Sequence, residues 1–457
     1  MEKTVSIIGA GLAGSEAALQ LAKRGFNVVL HEMRPDVQTD VHKTGSCAEL
    51  VCSNSLKSKK PESAAGMLKT ELSELDSFLY GFALDTEVSA GGALAVNREL
   101  FAEAVTKAVR ENEKITFVRG EVDSLEQAAK DADALVIATG PLTSDSLASA
   151  LSSVIGGDYL AFYDAAAPIV MADSLDMAKV FRQSRYEDSV GADGAAQGDY
   201  LNAPFTKEEY EAFIAELLQA DRVIMRDFET KELFQACQPI EEIARKGADA
   251  PRFGALKPVG LTDPRTGRRP WAAVQLRAED SGENSFNLVG FQTNLKFGEQ
   301  KRVFQMIPGL ENAEFARYGV MHRNTFIDAP RLLDSTLQLQ CASDALGIPV
   351  FTAGQLCGTE GYCEAIRSGL HVALSVAALF AGIEAPVLPH DTVFGALIDH
   401  SVDPNTTDYQ PMHVNFGIMA PLDQHIRNKQ QRYAAYAERG SKALAQYKEA
   451  LVACGLL

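Results

Sequence analysis

The sequence predicts an α/β protein whose N-terminal part is a parallel sheet wrapped by helices, and three observations predict it. Lys3 to Ile8 is a short β-branched run ending in Gly9-Ala10-Gly11-Leu12-Ala13-Gly14, after which a helical pattern continues to Arg24. Gly25 supplies a helix stop, Phe26 to Leu30 reads as a second strand, and Glu32 stands at that strand's end. Far downstream, Ala132 to Gly140 and Val350 to Gly354 each read as a buried strand closed by a glycine turn.

Each part of the first unit has a chemical task. Gly9 makes the tight turn, Gly11 lets the backbone approach a pyrophosphate, and Gly14 lets the helix pack on the strand. The free N–H groups of the helix N-terminus face the phosphates, and Glu32 can accept from ribose hydroxyls. Strand, helix, stop, second strand and terminal acid together predict a Rossmann-type dinucleotide site on Gly9, Ala10, Gly11, Leu12, Ala13, Gly14 and Glu32. The choice of FAD over NAD comes from further along. Ala132 to Gly140 ends in a Thr-Gly turn, and Val350 to Gly361 runs through Gly354-Gln355-Leu-Cys-Gly-Thr-Glu360-Gly361 into a long helix. Such a returning segment closes the FAD domain of glutathione-reductase-like flavoproteins. Gly140, Gly354, Gln355, Glu360 and Gly361 therefore join the expected cofactor site, although many such proteins carry Asp where Gln355 stands. With no second Gly-x-Gly-x-x-Gly, no separate NAD(P)H domain is expected.

At 457 residues the chain has room for two or three domains. Residues 1–145 with 330–385 are expected to form a discontinuous FAD-binding domain. Residues 146–329 form an inserted α/β substrate domain, and 386–457 a largely helical C-terminal segment. Hydrophobic residues at 46% and charged residues at 23% suit an ordinary globular protein. The net charge of −18 argues against a chain that coats nucleic acid over its whole surface. The insert departs from that balance: Arg245 to Arg302 holds eleven Lys and Arg against six acids, a local +5 that leaves −23 elsewhere. That asymmetry points to a polyanionic substrate, with Arg265, Arg268 and Arg269 as candidate RNA contacts. Seven cysteines scattered over a long chain read as thiols in a reducing compartment. The apolar run Val372 to Gly382 is too short to span a bilayer, so a cytoplasmic protein without membrane contact is expected. No Cys/His cluster has metal-site spacing, and no metal is expected.

Cys47-Ala-Glu-Leu-Val-Cys52 has the spacing of a flavoenzyme redox disulfide, so a disulfide reductase using Cys47 and Cys52 is one reading. Against it, such enzymes need an NAD domain, and Cys52 is followed by Ser53-Asn54-Ser55 instead of glycines.

The chain also resembles, nearly end to end, the folate- and FAD-dependent tRNA (uracil-5-)-methyltransferases of the TrmFO type. The resemblance rests on Gly9 to Glu16, His31-Glu-Met-Arg-Pro35, Ala48-Glu-Leu-Val-Cys-Ser-Asn-Ser55 and Phe234-Gln-Ala-Cys-Gln-Pro-Ile-Glu241. It continues through Lys257-Pro-Val-Gly-Leu261, Gly290-Phe-Gln-Thr293, Gly319 to Thr325 and Gln410-Pro-Met-His-Val-Asn-Phe-Gly417. It implies methylation of uridine C5 in the tRNA T-loop, with methylenetetrahydrofolate as carbon donor, FAD as redox group and NAD(P)H as reductant. It also implies Cys237 as the nucleophile at uracil C6 and Cys52 as the group that handles the C5 proton. Folate needs a flat partner, and Phe297, beside Gly298 in an expected loop, is the candidate. Ribosomal RNA as target of the same chemistry stays open. The wobble-uridine-modifying flavoproteins share the FAD domain but carry a long helical extension beyond the region where this chain ends.

Overall fold

Thr4–Ile8 is buried from Val5 onward, as a central strand of a covered parallel sheet must be. In the computed structural model, which describes residues 2–39, 41–155, 160–185, 198–223, 238–278, 283, 285–406, 409, 411–424 and 426–457, it lies mid-sheet. Its parallel neighbours are Asn27–Glu32 and Ala134–Ile137. Ile115–Arg119 extends the sheet on the first side and Val350–Thr352 on the second. The chain thus builds three strands outward in one direction, then returns to add the others on the opposite side. At that reversal the carboxyl ends of Thr4–Ile8 and Ala134–Ile137 leave the crevice in which open α/β sheets bind ligands.

Two helices cover this crevice from behind. Leu12–Lys23 begins at Gly11 and stops before Gly25, whose φ of +87° suits a residue without a β-carbon. Tyr362–Ala381 packs across it, and a β-carbon on Gly369 would lie 2.1 Å from the Ala13 carbonyl oxygen. This helix is long and apolar enough to cross a membrane by length and composition, yet 83% of its apolar window is buried inside the fold. It also carries Arg367, fully buried 3.5 Å from Glu71 and stacked over Phe394. The run Val372 to Gly382 is thus the second half of a core helix.

The insert is a six-stranded antiparallel sheet. Its order is Phe181–Arg182, Tyr200–Phe205, Ala272–Ala278, Ser285–Leu288, Ile169–Met171 and Phe315–Arg317. Leu160–Ala166 pairs with Val320–Phe326 in a ribbon through which the chain enters and leaves. Helices Lys207–Gln219 and Phe297–Phe304 share a core with the sheet, where Phe205, Phe213, Phe291 and Phe304 contact one another in sequence. After residue 386 the chain stays with the first domain. Val393–Val402 enters the N-terminal core, and Lys429–Ala453 lays Leu444, Tyr447 and Leu451 against Leu370 and Leu374.

Lys207–Gln219 starts with a reciprocal cap: Thr206 accepts from the Glu209 N–H, while the Glu209 carboxylate accepts from the Thr206 N–H. Thr206→Ala is expected to cost about 1 kcal/mol, a fall of about 2–4 °C in the Tm of the insert. Thermal unfolding checks this, and an unchanged Tm would show that the cap contributes nothing.

Candidate active site

A cleft of about 70 Å³ opens at the carboxyl ends of the parallel strands, bordered by Gly9, Gly11, Glu32, Gly120, Thr139 and Thr143. Two of the three fingerprint glycines are required by the protein itself. A β-carbon on Gly9 would lie 2.6 Å from the Ala138 carbonyl oxygen, and one on Gly14 would lie 1.9 Å from that of Gly9. Gly11 is different. Its φ is an ordinary −72°, and its β-carbon would meet no atom within 4 Å. The space left by its missing side chain belongs to the cleft, as expected where a pyrophosphate approaches the backbone. Leu12 and Ala13 open the helix there with no acid in its first turn, so its positive end faces an incoming anion uncompensated.

Glu32 lies at the cleft with all four of its lone-pair sites used. It accepts from the Ala10 N–H at 3.0 Å and from the Arg34 N–H, Nε and Nη2 at 3.0, 2.8 and 3.1 Å. Burial pushes its carboxyl up, but the Arg34 bonds outweigh that and hold it below the usual range, so it stays ionised. A ribose hydroxyl therefore reaches Glu32 only by displacing a bond from Arg34, which has a second acceptor in Glu49 at 3.1 Å. Burial and the Arg34 charge push His42, at the same rim, down to about 4, so it is neutral at pH 7. Cys47 packs beneath the turn, fully buried, with its N–H on Thr106 Oγ1 at 2.8 Å and burial raising its thiol.

The returning segment packs against the fingerprint helix. Gly354 has φ +76°, donates to Ser368 Oγ at 2.7 Å, and would bring a β-carbon within 3.1 Å of Ala13 Cβ. Gln355 accepts from the Gly358 N–H at 2.9 Å, and the Glu360 N–H donates to the Met412 carbonyl at 3.0 Å. Gly361 has φ +115°, and its β-carbon would strike Glu364 Oε2 at 2.3 Å. Glu364 also accepts from the Val414 N–H at 3.3 Å, so the stretch from Met412 to Val414 closes on this helix start. Gly140, with φ +66°, opens the turn that follows Ala134–Ile137, where Thr139 and Thr143 share a hydrogen bond of 2.6 Å. Of the residues expected at a cofactor, Gly9, Gly11 and Glu32 border the cleft, Gly140 follows Thr139 at its edge, Gly354 packs on Ala13 of the fingerprint helix, and Glu360 and Gly361 lead into Tyr362–Ala381.

Cys52 sits at the mouth of that helix. The Tyr362 hydroxyl accepts the N–H groups of Cys52 at 3.0 Å and Ser53 at 3.1 Å, across 310 residues of chain. On the other side Arg317 donates to the carbonyls of Val51 and Cys52 at 2.7 and 2.9 Å. Arg277 donates to Asn54 Oδ1 and Ser53 Oγ, both at 2.8 Å, and Asn54 Nδ2 returns a bond to the Ala278 carbonyl. The Cys52 loop is therefore clamped between the first domain and two strands of the insert. Burial and the neighbouring Cys52 push the Tyr362 phenol well up, so it stays protonated. Cys237 lies outside the described residues. Tyr362, Arg277 and Arg317 were not among the residues expected from sequence. Tyr362 had one signal, its position directly after Gly361, and the two arginines had none.

Two expectations for the insert change. Phe297 opens a helix instead of lying in a loop, because Gln300, Val303 and Phe304 recur at helical spacing and are buried. Its ring is 55% exposed and stacks on Tyr318 at 5.1 Å, which stacks in turn on Phe315 at 5.0 Å. The +5 charge is also partly offset: of the partners that follow, Asp263, Asp249 and Glu299 are already within that count, and Asp221 and Glu216 from outside the segment bring it to about +3. Arg265 pairs with Asp263, Arg252 with Asp249, Lys296 with Asp221, and Arg302 with Glu216 and Glu299. Arg268 and Arg269 are exposed and form no ion pair with a described residue.

Fold and cleft define a Rossmann-type dinucleotide-binding protein with a cysteine loop fixed at the closing helix. The model of the family described as glucose inhibited division protein A matches residues 4–384. A protein of Pelotomaculum thermopropionicum named methylenetetrahydrofolate--tRNA-(uracil-5-)-methyltransferase TrmFO is 48% identical, over 98% of this chain and 99% of its own. One of the same name from Bacillus subtilis is 47% identical, over 97% of this chain and 98% of its own. The solved structure of Aquifex aeolicus GidA shares the fold, with a TM-score of 0.70 at 17% identity over all of this chain and 74% of that one. The chain therefore belongs to the glucose inhibited division protein A family and, by its near relatives, to the TrmFO proteins.

Gly11→Val is expected to fold, with stability changed by about 1 kcal/mol or less at this N-cap, and to lose bound FAD. Flavin absorbance per folded chain measures this. Full occupancy in the folded variant would move the pyrophosphate away from Gly11.

Proposed function

We propose that the protein methylates C5 of a uridine in the T-loop of tRNA, taking the carbon from methylenetetrahydrofolate and electrons from NAD(P)H by way of FAD. One observation carries the reading: Cys52 is fixed at the start of the helix that packs against the fingerprint helix, in a loop that the insert also grips. Gly9 to Gly14 would hold the pyrophosphate, Glu32 the ribose once Arg34 yields, and Gly140 with the segment from Gly354 to Gly361 the remainder. FAD, when bound, supplies the reduction that completes the methyl group.

Uracil C5 is a poor nucleophile until a thiolate adds to C6 and pushes electron density onto it. The family pattern gives that addition to Cys237 and the C5 proton to Cys52. Once C5 carries the new carbon and loses its proton, the ring double bond re-forms as the thiolate leaves. Tyr362 and Arg317 act as positioning residues, holding the N–H and the carbonyl of Cys52 from opposite sides. The rival disulfide exchange between Cys47 and Cys52 is disfavoured, because Cys47 has no exposed surface and its thiol is raised by burial.

Phe297 would stack on the pterin of the folate. Its ladder partner Tyr318 directly follows Arg317, so ring and thiol loop are anchored by consecutive residues. Arg268 and Arg269, with Arg265 beside them, would meet RNA phosphates. Unpaired thiols at Cys341, Cys357 and Cys454, together with a tRNA substrate, fit the cytoplasm.

Cys52→Ala and Cys237→Ala should each abolish 5-methyluridine formation while retaining FAD, and Cys47→Ala should keep most of it. Methylation of tRNA and ribosomal RNA by the three variants, with flavin content measured, is the test. Normal methylation by Cys237→Ala, or a Cys47→Ala as inactive as Cys52→Ala, would overturn the mechanism. Phe297→Ala should raise the KM for methylenetetrahydrofolate about fivefold, the loss of about 1 kcal/mol of stacking. An unchanged KM would move the pterin elsewhere.

A further inference from the structure

Three short proline-stiffened segments of the insert, Ala250-Pro-Arg-Phe253, Lys257-Pro-Val259 and Arg269-Pro-Trp271, meet in an open groove of about 770 Å³. The fingerprint and thiol loop use none of them. Ala250–Phe253 is a single tight turn closed by N–H groups of Gly254 and Leu256, which both donate to the Pro251 carbonyl, at 3.0 and 2.9 Å. Arg252 braces it: Nε donates to the Trp271 carbonyl at 3.0 Å, Nη1 to Asp249 at 3.1 Å, and the guanidinium lies 3.7 Å from the centre of the Trp271 ring. On this rigid ledge Phe253 is 83% exposed, more than any other large hydrophobic side chain among the described residues. An aromatic side chain left in water forgoes about 2 kcal/mol of burial. Beside it stand Lys257 and Arg269, neither in an ion pair with a described residue, on a chain of net charge −18.

We propose that this groove binds an unpaired nucleotide of the RNA substrate, its base stacked on Phe253 and its flanking phosphates held by Lys257 and Arg269. The inference rests on the RNA substrate of the proposed function and adds which part of the RNA the insert reads. A rigid aromatic platform beside cations is how proteins hold single strands. A duplex hides its base faces and can offer this groove only phosphates, so the groove selects loop over stem. A second copy of this chain is a poorer occupant, since eight lining residues fall well short of the about 20–30 a side that a stable dimer uses.

The test uses the full-length, FAD-loaded protein and fluorescence anisotropy with two probes, a T-arm RNA hairpin and a blunt duplex of the same stem. Phe253→Ala should weaken hairpin binding about tenfold and leave duplex binding nearly unchanged, and Phe253→Trp should restore it. Lys257→Gln with Arg269→Gln should reduce the slope of log K against log salt by about 1.4, two single-strand phosphate contacts. Phe253 is exposed, so its variants should keep wild-type flavin content and Tm. Hairpin binding that survives Phe253→Ala overturns the groove and leaves RNA methylation standing. Loss of a dimer in Phe253→Ala with hairpin affinity unchanged assigns the groove to a second copy and also overturns the proposal. A wild-type protein that binds neither RNA overturns the groove together with the proposed function.

Discussion

A β-carbon on Gly14 would lie 1.9 Å from the Gly9 carbonyl oxygen, and one on Gly369 would lie 2.1 Å from that of Ala13. These two close approaches set the geometry of everything else at the site. The first presses the N-terminal helix onto the strand turn, so its free N–H groups point into the crevice. The second presses Tyr362–Ala381 onto that helix and thereby fixes where its first residue stands. Since Tyr362 accepts the N–H of Cys52, the position of the thiol loop follows from backbone contacts on the opposite side of the helix pair. Any side chain at either glycine would separate the crevice from the cysteine.

Charge is handled in the same non-local way. Glu16 is fully buried in the first helix, yet it accepts N–H groups from Phe78 and Leu79 at 3.2 and 2.8 Å, joining that helix to the next layer. Burial raises its carboxyl, and those bonds, with others from the Gln20 and Ser77 side chains, only partly offset the cost of its charge. Glu32 and Arg34 form a second buried pair, which leaves the Glu32 carboxylate occupied until a ligand competes for it. The insert then supplies Arg277 and Arg317, two cations whose work is to grip the loop of the other domain. The Cys52 loop is thus held by both parts of the chain.

Much of this was legible in the sequence, and for physical reasons. Periodicity and glycine chemistry are local, so Gly9 to Gly14, the strand ending at Glu32, the strand before Gly140 and the strand–turn–helix at Gly354 to Gly361 could be read directly. The resemblance added the thiols, which no pattern of polarity would have singled out. What escaped is non-local or depends on packing. The Tyr362–Cys52 contact spans 310 residues, and Arg277 looks like any strand arginine until Asn54 is opposite it. Phe297 followed by glycine reads as a loop, but burial of Val303 and Phe304 makes it the first residue of a helix. Counting charges overstated the basic face, because ion pairs such as Arg302 with Glu216 form between residues 86 apart.

The central claim is that the dinucleotide crevice and the Cys52 loop meet at the start of Tyr362–Ala381. A crystal structure of the protein with FAD bound tests it most directly. The account predicts the pyrophosphate against Gly11, the ribose on Glu32 with Arg34 turned toward Glu49, and the isoalloxazine ring at the helix start in contact with the Cys52 loop. An isoalloxazine ring bound away from Tyr362 and Cys52, with the pyrophosphate still at Gly11, would contradict it.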